Sequence, residues 1–197
     1  MAEPKPARIQ TLAGAIPWIL YFALPYAGRP VTAVVAGFVA ASCATAYARA
    51  RGANVKLVDW TTLAFFALGT IASVARGSTA AMFSHYNFVL LWILFAAMAW
   101  ISILAGKPFT LQFARESTPR EFWSTALFHH ANVIITLAWA AAFSLNLLVA
   151  LVALELGGAE AIVARFFPFA AMAGAIVFMN RYRASIQRLM PAQAPTV

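Results

Sequence analysis

From position 132 to position 156 the chain reads NVIITLAWAAAFSLNLLVALVALEL, with no charged side chain before Glu155. A helix that crosses a bilayer needs about 20 mostly apolar residues, so this stretch predicts a membrane-spanning helix. Moving outward toward the N-terminus, comparable runs cover about Tyr86–Ala105, Leu57–Ala75, Pro30–Ala48 and Thr11–Ala27. Toward the C-terminus one more covers about Phe166–Tyr182. The expected fold is all-α: a polytopic transmembrane helix bundle of about six spans, forming a single integral membrane domain over residues 1–197. The first run contains Pro17 and Pro25, which predict a kink. Lys5 and Arg8 precede it as in a signal peptide, but no small-x-small cleavage pattern follows, so it reads as a retained span.

Composition demands the same sink for apolar surface. Of 197 residues, 63% are hydrophobic and 10% are charged, against about 45–50% and about 25% in soluble domains. A domain of this size buries only about two-thirds of its surface, so lipid must cover the rest. The net charge of +8 does not point to nucleic acid, because the cations lie in gaps between apolar runs and form no basic face. Cys43 is the single cysteine. It can form no intrachain disulfide and reads as a small packing residue.

The cations assign an orientation. One side of the membrane receives Lys5, Arg8, Arg49, Arg51, Lys56, Lys107, Arg115, Arg120, Arg181, Arg183 and Arg188. The other receives Arg29, Arg76 and Arg165. Short cytoplasmic loops carry the excess of Lys and Arg, so both termini are expected in the cytoplasm. The alternation never fails along the chain, and a miscounted span would break it. A multi-pass protein of the bacterial inner membrane is the implied location.

The longest hydrophilic piece is the cytoplasmic connector 107–131, between the fourth and fifth spans. Phe109, Leu111, Phe113, Phe122 and Trp123 interrupt it, which makes it an interfacial amphipathic segment rather than a loose linker. A helix start is expected with Thr118 as N-cap, Pro119 at the first helical position and Glu121 completing a capping box. A helix from there to Leu156 would measure roughly 55 Å at 1.5 Å per residue. It must project from the membrane or bend near His129–Asn132. One echo joins Gly28-Arg29-Pro30-Val31-Thr32 to Gly106-Lys107-Pro108-Phe109-Thr110, three spans apart, as an inverted repeat would place it.

Chemistry-bearing side chains are sparse. The second span spaces Ala36, Ala40, Ala44 and Ala48 four apart beside Gly37 and Ala41. Small stripes of this kind let a neighbouring helix approach, either within the chain or in a homo-oligomer. Ala170 and Gly174 form a similar pair. Polar residues inside the runs are Asn87, Asn132, Thr136, Ser144, Asn146 and Asn180. At about 100° per residue, Asn132, Thr136, Trp139 and Asn146 share one face, suited to structural hydrogen bonding or to a polar path. Asp59, three residues after Lys56, reads as a local cap or ion pair. His85 lies a membrane thickness from His129 and His130, so no bis-histidine haem site is available. No zinc set is present, and no cofactor is expected. Arg115, Glu116, Arg120 and Glu121 form the densest charged group, a solvated face or a docking surface for headgroups or a cytoplasmic protein.

Several segments resemble the intracellular septation protein A family of bacterial inner-membrane proteins. They are Ile16-Pro-Trp-Ile-Leu-Tyr-Phe-Ala23, the exit Lys107-Pro108-Phe109, the helix Leu137-Ala138-Trp139-Ala140 with Phe143 and Asn146, and the basic tail Arg181-Tyr182-Arg183. The resemblance implies a non-enzymatic component of the envelope or division apparatus, with lipid and envelope or division proteins as partners and no catalytic residues. The residues singled out as functional or partner-contacting are Lys107, Pro108, Arg115, Glu116, His130, Asn132, Thr136, Trp139 and Asn146. Two other readings stand beside it. One is a small transporter or channel using the polar face of the fifth span. The other is a membrane redox or lipid-modifying enzyme using His129 or His130.

Overall fold

The computed structural model describes residues 6–23, 30–75, 78–156 and 158–189. Its described residues form seven α-helices: α1 (Pro6–Ala23), α2 (Pro30–Ala50), α3 (Leu57–Ala75), α4 (Ser78–Leu104), α5 (Leu111–Ser117), α6 (Ala126–Glu155) and α7 (Gly158–Leu189). A short 3-10 turn, Arg120–Phe122, lies between α5 and α6. Among the described residues four stretches are long and apolar enough to cross a membrane: Val31–Ala50, Leu57–Ala75, His85–Leu104 and Ala126–Glu155. A shorter apolar stretch covers Gly14–Ala23 in α1. Pro25, Arg29 and Arg76 lie outside the described residues, as does the Gly28–Arg29 part of the echo, and the side chain of Arg165 does too.

Contacts divide the chain within α4 into two compact units, residues 1–94 and 95–197. In the first, α2 packs against both α1 and α3. Apolar surface gains little by leaving lipid for protein, so close packing has to hold such helices together. The small residues of α2 provide it. A Cβ on Gly37 would collide with the Phe66 ring, and one on Gly69 of α3 would meet Phe83 and Val34. Phe65 and Phe66 are wholly buried. Trp18 of α1 stacks on Phe65 at 5.5 Å, and Tyr21 meets Phe65 edge-on, also at 5.5 Å. Gly37, beside the alanine stripe, therefore lies in a seam inside the chain, and Ala41 and Ala48 are buried with it.

Helix ends follow their local chemistry. Asp59 accepts a hydrogen bond from the Lys56 backbone N–H at 2.9 Å, capping the start of α3 as one half of a capping box. Two hydroxyls of α3 are satisfied locally, Thr61 donating to the Leu57 carbonyl and Ser73 to that of Gly69, whereas the buried Thr70 hydroxyl has no partner. At the end of α2, Gly52 N–H bonds the Arg49 carbonyl and Ala53 N–H that of Ala48. This is a Schellman turn, and Gly52 adopts the φ of 69° it needs.

The second unit is built on α6, which packs against α7 and touches α5. The helix is 30 residues long, about 45 Å. It starts later than the sequence pattern predicts. Thr118 is extended, at φ −115° and ψ 133°, and closes α5 rather than opening a helix. An extended backbone is what an N-cap has; the expected helix fails at the next residue, because Pro119 is not helical, at φ −55° and ψ 145°, and only a short 3-10 turn follows it. The cap falls instead to Thr125, whose hydroxyl oxygen accepts from Phe128 N–H at 3.2 Å. Among its described side chains α7 is largely exposed, with Ala175 buried.

Candidate functional site

The connector between α4 and α6 is an ordered, latched element. α4 ends in a second Schellman turn: Gly106 N–H bonds the Ile103 carbonyl, and Lys107 N–H bonds that of Ser102. Gly106 takes φ 67°. Pro108 follows and is fully buried, while Lys107 is exposed. Ser102 is buried, donates to the Ala99 carbonyl at 2.7 Å and accepts from Phe109 N–H at 3.1 Å. The chain is thus held to α4 on both sides of the turn.

Thr110 fastens it to α6. Its hydroxyl lies 3.0 Å from the Asn132 carbonyl and 2.8 Å from the Thr136 hydroxyl. A hydroxyl has one proton, and the carbonyl can only accept. Thr110 therefore donates to Asn132, and Thr136 donates to Thr110. All three residues are buried. The Asn132 amide nitrogen donates to the Phe128 carbonyl at 2.8 Å, while its Oδ1 has no partner. His129 Nε2 lies 3.1 Å from the Gly106 carbonyl, so that ring nitrogen carries the proton and donates. His130 is exposed.

A small apolar core sits under this latch, made of Leu111, Ala114 and Phe128 with half-buried Trp123 packed on it. Trp123 Nε1 donates to the Thr118 carbonyl at 2.9 Å, which fixes the indole and takes up the carbonyl freed by the extended Thr118. The guanidinium carbons of Arg115 and Arg120 lie 5.3 and 5.8 Å from the indole centroid. Both are within cation–π range. Arg115, Glu116, Arg120 and Glu121 are exposed.

Of the residues singled out by sequence, Lys107, Pro108, Arg115, Glu116 and His130 belong to this connector and its junction with α6. Asn132 and Thr136 supply two of its anchoring points. Trp139 and Asn146 lie farther along α6. Trp139 packs on Phe143 at 5.7 Å, and Phe143 on Phe95 at 5.3 Å. Asn146 is wholly buried, and neither its Nδ2 nor its Oδ1 has a hydrogen-bond partner. A shallow apolar groove between α6 and α7 is lined by Ala138, Ala142, Gly174 and Ala175 among others. Among the described residues no three His, Cys, Asp or Glu side chains gather as a metal site would need.

Sequence reasoning missed Ser102, Thr110 and Thr125 as structural anchors. Thr110 follows Pro108 in a turn, where helical periodicity carries no signal. Trp123 was legible only as an interfacial aromatic; its contacts with Arg115 and Arg120 were not foreseen. Comparison with protein-family models, with curated proteins and with solved structures gives no match.

Proposed function

We propose that this chain is a non-enzymatic protein of the bacterial inner membrane that acts through lipid or protein partners in cell-envelope maintenance or septation. The observation that carries this reading is the latched connector. Ser102, Thr110 and His129 hold it by hydrogen bonds from both flanking helices, so its exposed side chains keep a fixed arrangement, as a docking surface requires. The six-span topology with both termini in the cytoplasm belongs to the same reading. The eleven-to-three division of Lys and Arg supports it, with α1 and α7 adding to the four long apolar helices. The envelope role draws on the septation-protein resemblance.

A photo-crosslinking residue at exposed Ser124, introduced in living cells, tests the reading together with deletion of the gene. Discrete adducts and an envelope defect on deletion are the expected result. Diffuse background adducts with a normal envelope would sink it. A second reading, a small transporter or channel, has one observation in its favour: the partnerless buried amide of Asn146 on the polar face of α6. Labelling of Asn146→Cys by a membrane-impermeant thiol reagent would support a hydrated path. Full protection, with a dry bundle around it, would remove this alternative.

A further inference from the structure

We infer that the Arg115–Trp123–Arg120 stack is a headgroup site for an anionic phospholipid of the membrane in which the chain sits. This deepens the reading above by naming the partner as lipid, and it rests on that reading.

Bulk charge alone does not recommend the connector. The connector carries Lys107, Arg115 and Arg120 with Glu116 and Glu121, three cations and two carboxylates, a net of +1. What distinguishes the site is preorganisation. The Trp123 indole is fixed by its bond to Thr118 and by packing on Leu111, Ala114 and Phe128. Two guanidinium groups then converge on one immobile ring. A guanidinium that rests on an aromatic face keeps its N–H groups in its own plane, where they can pair bidentately with phosphate oxygens. Part of the entropy of ordering two long side chains is thereby met before any ligand arrives.

The surroundings favour an amphiphile over a soluble phosphate. Leu104 on the last turn of α4 is 84% exposed, and Ile101, three residues before it, is 63% exposed. Leu127 on the first turn of α6 is exposed too. These apolar side chains end the flanking helices beside the connector, where the acyl chains of a lipid would lie. Indole rings also concentrate at headgroup depth. α6, at about 45 Å, outruns a hydrocarbon core of about 30 Å, so its first turns can stand in the headgroup layer.

The test uses the full chain, purified in mild detergent after exchange into vesicles of equal phosphatidylglycerol and phosphatidylcholine, with retained lipid counted by native mass spectrometry. Wild type is expected to retain phosphatidylglycerol preferentially. Arg115→Gln/Arg120→Gln should lose that preference by about tenfold, as should Trp123→Leu, the size of one lost charge-assisted contact. Glu116→Gln/Glu121→Gln should keep it or strengthen it. Equal retention of the two lipids by wild type, or an unchanged preference in Trp123→Leu, would overturn the proposal. Should Trp123→Leu fail to fold, Arg115→Lys/Arg120→Lys decides. It keeps the charge but loses the planar fork, so a weakened preference supports the stack and an unchanged one overturns it. If lipid preference is absent while the Ser124 crosslinks persist, the docking surface stands and its partner is a protein.

Discussion

At the scale of single residues, Thr110 does more than its position suggests. It stands just before α5, where a threonine would ordinarily cap the helix, yet it makes no such bond. Its hydroxyl instead links the connector to a carbonyl and a hydroxyl on α6. The proton assignment makes the effects of substitution unequal. Thr136→Val leaves Thr110 able to donate to Asn132 and removes one bond. Thr110→Val removes both and leaves the buried Thr136 hydroxyl without its acceptor, which costs about 1–3 kcal/mol. Unfolding in detergent should therefore show Thr110→Val as the more destabilising change. The double variant should be less destabilised than Thr110→Val alone, because the orphaned hydroxyl is gone. Additive losses would mean that the two threonines are not coupled.

At the scale of elements, small residues on one helix decide which large ones fit on the next. Gly37 accommodates the Phe66 ring of α3. Gly37→Ala is expected to lower thermal stability in detergent by an overpacking cost of about 1–3 kcal/mol. Adding Phe66→Leu should recover part of the loss, and the absence of recovery would disprove the contact. The alanine and glycine spacing of α2 was readable as a close-approach face, but whether the approaching helix came from the same chain was not. Spacing describes one surface and says nothing of its complement. The start of α6 was misread for a local reason. The pattern rule points to Thr118 because Pro119 and Glu121 follow it. Thr118 is extended, as a cap would be, but Pro119 after it is not helical, at ψ 145°, and Thr125 takes the role without a carboxylate three residues on.

At the scale of the whole molecule, apolar run length made the long helices legible, since length and hydropathy need no partner to be recognised. The hydrogen bonds that hold the connector were not, since residues 22 and 26 positions apart leave no periodic trace. The orientation proposed from the charges is open to direct measurement. With Cys43, which is exposed, first changed to Ser, single cysteines replacing Arg29, Arg76 and Arg165 should react with an impermeant reagent from outside intact cells. Replacements of Arg51 and Lys107 should react after the cytoplasmic face is opened. Labelling of the first three from the cytoplasmic face alone would refute the six-span arrangement.

The Thr110 contacts also impose an order on synthesis. The ribosome releases Thr110 well before Asn132 and Thr136, so α4 and the connector emerge while the groups that will hold them are still unmade. During that interval the connector has its turn at Gly106 and its tie to Ser102, but nothing joins it to α6. Insertion of α6 supplies the Asn132 carbonyl, the Thr136 hydroxyl and the His129 ring together. The connector's final shape thus registers that α6 has reached its place, and a nascent chain arrested before residue 132 would carry the same surface residues without their native arrangement.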